Sequence, residues 1–108
     1  MVATSTLDEQ NLDRIDLIKI DVEGAEPLVT AGAVETIERL RPAVISEFSC
    51  ELVPRVSGVA PIDYLRFFTD RSYTVHVIER VDGTPTRYES AQDLLDNWGD
   101  NPGRWVDL

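Results

Sequence analysis

Leu17, Ile18, Ile20 and Val22 form a short apolar run, interrupted by Lys19 and Asp21, that predicts a strand over residues 16–22 covered on both faces. Residues 1–11 before it are polar and rich in serine and threonine, a lead-in with a short helical turn over 7–12. Gly24, Glu26 and Pro27 follow the strand, and proline suits a first helical turn, where its missing N–H would have no partner. Val29, Ala33, Ile37 and Leu40 then recur at helical spacing, predicting one helix over 27–41 that Gly32 bends or packs closely. Arg39 and Arg41 suit its C-terminal end, and Pro42 stops it.

Residues 43–48, Ala-Val-Ile-Ser-Glu-Phe, read as a second largely buried strand, so the pattern strand, helix, strand implies a parallel pair. A right-handed crossover brings the carboxyl ends of both strands, with Asp21, Glu23 and Glu47, to one edge of the sheet. In open α/β sheets that edge is where ligands bind. Pro54 and Gly58 mark 49–60 as a loop over it. A second helix over 61–71 shows Ile62, Leu65 and Phe68 on one side, with Tyr64 and Phe67 beside them. Residues 74–80 read as a third strand, joined through the turn pair Asp82-Gly83 to a short strand over 86–88. Ser90 is an N-cap for a last helix to residue 98, and 104–108 has the length of a final short strand.

Composition narrows the functional classes. The length of 108 residues suits one small α/β domain, and 43% hydrophobic residues suffice for a core. A net charge of -10 excludes a basic face for nucleic acid and does not suit an anionic membrane surface. No apolar run approaches the length of a membrane span and no leader pattern opens the chain, which places the protein in the cytoplasm as an expectation. The single cysteine, Cys50, fits a reducing compartment and builds neither a disulfide nor a zinc site alone.

Thr6-Leu7-Asp8, residues 15–26, Gly32-Ala33, the run 41–45 with Glu47-Phe48, and Trp105-Val106-Asp107-Leu108 together resemble the C-terminal half of FkbM-family methyltransferases. The most specific of these is the string Lys19-x-Asp21-x-Glu23-Gly24-x-Glu26 after a strand. The resemblance implies a Rossmann-like class I methyltransferase sheet, S-adenosylmethionine as methyl donor and oxygen as the usual acceptor atom. It also implies that residues 1–108 are a partial domain. The glycine-rich loop of such a fold belongs to its first half, and none of the six glycines here falls in a G-x-G pair. The cofactor site is therefore expected mostly outside this chain, which alone would be inactive.

Methyl transfer to a hydroxyl is an in-line displacement, so it needs an aligned acceptor and, where the hydroxyl must lose its proton, a base. The resemblance puts Asp21 at the end of a central strand facing the crevice, as catalytic residue, with Glu47 as a second catalytic candidate and Glu23 as a substrate-binding one. The structural alternatives are that Asp21 caps the next helix, that Glu23 and Glu26 favour its positive end, and that Glu47 pairs with Arg41 or Arg55. Lys19 is read as a structural partner, His76 as a plain strand residue, and no metal is expected, because the acidic spacing lacks the oxygen donors of a calcium loop. The acceptor is expected to be a small-molecule or glycan hydroxyl. A strand apolar on both faces with one neighbour leaves an open edge, for a homo-oligomer or a partner chain. The competing reading is a catalytically silent α/β module that completes a partner's sheet.

Overall fold

The computed structural model describes residues 5–78, 84–98 and 104–107. After a 3-10 turn at Asp8–Gln10, strand β1 (Leu17–Ile20) leads through helices α1 (Glu26–Ala31) and α2 (Val34–Leu40) to β2 (Ala43–Phe48). Helices α3 (Leu52–Ser57) and α4 (Pro61–Thr69) connect β2 to β3 (Val75–Ile78). Strand β4 (Pro85–Tyr88), helix α5 (Ala91–Trp98) and β5 (Arg104–Asp107) complete the chain. The five strands form one sheet in the order β1-β2-β5-β3-β4, a mixed α/β fold compatible with part of a Rossmann-like sheet.

The direction of winding decides which face of the sheet is covered. Strands β1 and β2 are parallel, and β2 and β3 are parallel to each other because both pair antiparallel to β5. Both crossovers therefore step the same way along the sheet, and two right-handed crossovers in one direction lay their helices on one face. Ile20, Val44, Phe48, Val75 and Val77 lie on that face and share a core with Ile37, Val53, Leu65, Phe68 and Leu94 from the helices. Tyr64 stacks on Phe48 with ring centroids 6.1 Å apart and meets Phe68 edge to face. The opposite face holds Lys19, Ile45, His76 and Arg87 in one row across the register. Lys19 and Arg87 on it are exposed and Ile45 and His76 half-buried.

The expectation that the first strand is covered on both faces is corrected here. Leu17 is 54% exposed, Lys19 is exposed, and β1 ends the sheet with no outer strand among the described residues. An apolar run shows a taste for burial, while cover depends on a second layer of helices wound the other way.

The single helix expected over 27–41 is two. Gly32 sits at the break because Thr6 leaves no room there: a Cβ would lie 2.9 Å from both Cβ and Cγ2 of Thr6. The Gly32 carbonyl accepts the Asp8 N–H at 2.9 Å. Residues 49–60 are not only a loop, since α3 forms within them. The Ser49 hydroxyl accepts the Leu52 N–H at 3.1 Å, Pro54 lies in the first turn where proline is tolerated, and Val53 is fully buried. Ser90 accepts the Asp93 N–H and caps α5 as expected. The hairpin pairing of β3 with β4 is present, while the Asp82-Gly83 turn lies outside the described residues. No helix among the described residues is long and apolar enough to cross a membrane.

Candidate functional site

At the carboxyl end of β1 the chain reverses into α1 within a few residues. The Ala25 N–H bonds the Val22 carbonyl at 3.2 Å, closing a turn whose central residues Glu23 and Gly24 both have positive φ, 49° and 98°. Gly24 is obligatory on two grounds. Its φ disfavours a side chain, and a Cβ would lie 2.5 Å from the Leu52 carbonyl oxygen and 2.9 Å from Val56 Cγ2. Helix α3 thus backs the turn with its first residue.

The register Lys19↔Ile45 and Ile20↔Ser46 makes Asp21 and Glu47 the next positions along two neighbouring parallel strands. Asp21 and Glu23 are exposed and Glu47 is half-buried. The carboxylates of Asp21 and Glu23 make no hydrogen bond or ion pair among the described residues, and α1 has no side-chain N-cap, so Asp21 does not cap it. The basic partners suggested for Glu47 are engaged elsewhere: Arg55 bonds Glu51 at 3.0 Å, and the Arg41 guanidinium stacks 4.3 Å from the Tyr73 ring centroid. No group of three or more metal-ligating side chains occurs among the described residues.

Beside the turn lies an open groove of about 720 Å³, lined by Thr6, Leu7, Val22, Leu28, Val29 and their neighbours, with no charged side chain. Leu28 is 57% exposed and Val22 41%. Beneath the turn the arrangement is inverted, because Glu26 is 1% exposed. Its Oε2 accepts the Gly24 N–H at 2.8 Å. On the covered face, Ser46 and Tyr64 share a hydroxyl hydrogen bond of 2.6 Å. Burial pushes the Tyr64 phenol far above its ordinary value, the Ser46 hydrogen bond opposes this and the nearby Glu26 adds to it. Tyr64 is therefore a neutral hydrogen-bonding group and no base.

The structure brings Asp21, Glu23 and Glu47 to one end of the sheet and sets Lys19 and His76 on its uncovered face. On the sequence, Glu26 reads only as a charge favouring a helix end. The available signal was its place: a carboxyl group two residues after a glycine and directly before a first-turn proline can fold back onto the turn.

The glycines test whether these residues could cradle a nucleotide-like cofactor. The space at Gly24 is filled by Leu52 and Val56 and that at Gly32 by Thr6, while Gly58 caps α3 in open space. None offers bare backbone at a strand end, so the described residues do not form such a cradle. A family model described as the methyltransferase FkbM domain matches residues 2–83. No curated protein and no solved structure matches the chain.

Proposed function

Because this chain belongs to the FkbM methyltransferase domain family, we propose that it forms the acceptor side of an S-adenosylmethionine-dependent methyltransferase acting on a hydroxyl of a sugar, lipid or secondary metabolite. The observation that carries this reading is the one-way winding from an open β1 edge. A doubly wound sheet has a second half that starts beside such an edge and winds the other way, and the crevice between the halves is the ligand site. Asp21 and Glu23 stand at the rim of that crevice, next to an uncharged groove that suits the apolar body of an acceptor. In this reading Asp21 orients the acceptor hydroxyl and takes its proton, Glu47 supports it from the neighbouring strand, and Glu23 contacts the acceptor. The methyl donor is held by the other half, consistent with the filled glycine sites here.

The test measures transfer of a labelled methyl group from S-adenosylmethionine to hydroxyl-bearing acceptors, by the chain alone and together with the polypeptide encoded immediately upstream. Transfer is expected only in the second case, with Asp21→Asn lowering it by roughly 10²-fold or more. An unaltered rate in Asp21→Asn removes the base role. Tight binding of S-adenosylmethionine by the chain alone, measured by calorimetry, would show the donor site to be misplaced. The competing reading, a silent module that completes a partner's sheet, draws on the same open edge and gains if the upstream polypeptide binds but no acceptor is methylated.

A further inference from the structure

We propose that Glu26 is a positioning residue of this site: its buried carboxyl group holds the Gly24 amide and thereby fixes the left-handed Glu23-Gly24 turn that sets Asp21 and Glu23 at the rim. The assignment deepens the acceptor-side reading and rests on it for its functional meaning. Its geometric content stands on three observations.

The first is the inversion of burial across α1. Leu28, an apolar residue, is 57% exposed, while the carboxyl group of Glu26 in the same short helix is 1% exposed. Burying a carboxyl group is costly unless a specific partner compensates, so packing alone would favour the opposite arrangement. The second is the identity of that partner. Glu26 is the first residue of α1, and Ala25 is its N-cap. A capping side chain satisfies the N–H groups of the helix or of the N-cap itself. The Glu26 carboxyl group instead bonds Gly24, one residue before the N-cap, at 2.8 Å. Its hydrogen bond therefore acts on the turn and leaves the helix end uncapped. The third is that this turn needs a holder. Glu23 is a non-glycine residue at φ 49°, a conformation that persists where its surroundings impose it. Leu52 and Val56 press on Gly24 from one side, and the Glu26 carboxyl group fixes its amide from within. With both in place, the step from Ile20 to Ala25 has one geometry, and Asp21 and Glu23 are fixed at its rim.

The experiment uses the isotope-labelled chain in solution, with Glu26→Met, which keeps the volume and removes the acceptor, and Glu26→Gln, which keeps an acceptor. In Glu26→Met the Gly24 amide proton should move upfield and exchange at least tenfold faster. The Asp21 and Glu23 resonances should move with it, while those of Ile37, Leu65 and Phe68 stay. Glu26→Gln should restore most of the Gly24, Asp21 and Glu23 signature. Where transfer is measurable with the upstream polypeptide, Glu26→Met should lower kcat at least tenfold and leave KM for the methyl donor unchanged. Unmoved Gly24 and Asp21 resonances in Glu26→Met overturn the proposal, and so does an unchanged kcat. If Glu26→Met does not fold, the native chain decides: a protected Gly24 amide with a scalar coupling across the hydrogen bond to the Glu26 side-chain carboxyl carbon supports the role, and an unprotected Gly24 amide with no such coupling overturns it. Absence of transfer by the native pair sinks the acceptor-side reading alone, and the amide response still decides whether Glu26 holds the turn.

Discussion

Asp8 does at a distance what a local cap does elsewhere. Helix α2 has Ala33 at its N-cap with no side-chain hydrogen bond, and Asp8 supplies the missing acceptors from the lead-in. Its Oδ1 accepts the Thr36 N–H at 2.8 Å and the Thr36 hydroxyl at 2.7 Å, and its Oδ2 accepts the Glu35 N–H at 3.3 Å. Burial pulls the Asp8 carboxyl upward, but the hydrogen bonds from Thr36 and Glu35 and the Arg39 charge outweigh it and hold the group below its ordinary value. A folded-state pKa below the unfolded one contributes stability that is present above the unfolded value and lost as pH falls through the folded one. Asp8→Ala should therefore cost about 1 kcal/mol near neutral pH, the size of a lost cap. The gap between variant and native chain should narrow progressively below about pH 4. Urea denaturation across that range checks both statements, and a gap that is constant with pH would remove Asp8 from the cap. The same contact gives Thr6-Leu7-Asp8 a physical meaning: Thr6 fills the space at Gly32, Leu7 lines the groove, and Asp8 caps.

Among the elements, α3 has the largest consequence for the site, because its first residue lies on the turn after β1. Gly24→Ala would set a methyl group against the Leu52 backbone at a positive φ, whereas Gly58→Ala, also at positive φ, meets nothing within 4 Å. Gly58→Ala should cost about 1 kcal/mol from backbone strain alone. Gly24→Ala should cost at least about 2 kcal/mol more, since backbone must move. Equal losses in chemical denaturation would mean that α3 does not press on the turn. The sequence pattern was sufficient for β2, α4 and α5, whose periodicity, proline and serine signals are local. It was not sufficient for α3, a six-residue helix held by the burial of Val53 and two hydrogen bonds to Ser49, whose hydroxyl accepts the Leu52 N–H and whose carbonyl accepts the Val53 N–H. It marks Gly32 as a bend or a close contact, as the structure has it, but not the cause, Thr6, which is remote in sequence. The placement of β5 between β2 and β3 likewise depends on a pairing choice that no local pattern records. Asp21 and Glu47 were readable as neighbours because parallel pairing follows from strand, helix, strand; the turn that presents Asp21, and Glu26 beneath it, depend on tertiary burial.

For the molecule as a whole, winding in one direction leaves one face of the sheet without helices among the described residues, and that face meets an open edge at β1. The uncovered face combines Leu17, Ala43, Ile45 and Ile78 with Lys19, Glu47, His76 and Arg87, so it is apolar in part and carries charges of both signs. An edge strand with an exposed Leu17 invites another strand, and Lys19 beside it discourages flat pairing. The two tendencies should balance differently with salt. At a net charge of -10, copies of the chain repel one another at long range, and the range shrinks from about 30 Å at 0.01 M to about 8 Å at 0.15 M ionic strength. Light scattering on the purified chain should therefore show mass rising with salt, the opposite of an assembly held by ion pairs. Leu17→Glu, which puts a charge at the open edge without touching the core, should return the chain to a monomer and change stability by no more than about 0.5 kcal/mol. A native chain that stays monomeric at every salt concentration and binds no hydrophobic dye would show that this face needs no cover, and with that the argument for a second half wound from β1 would fail.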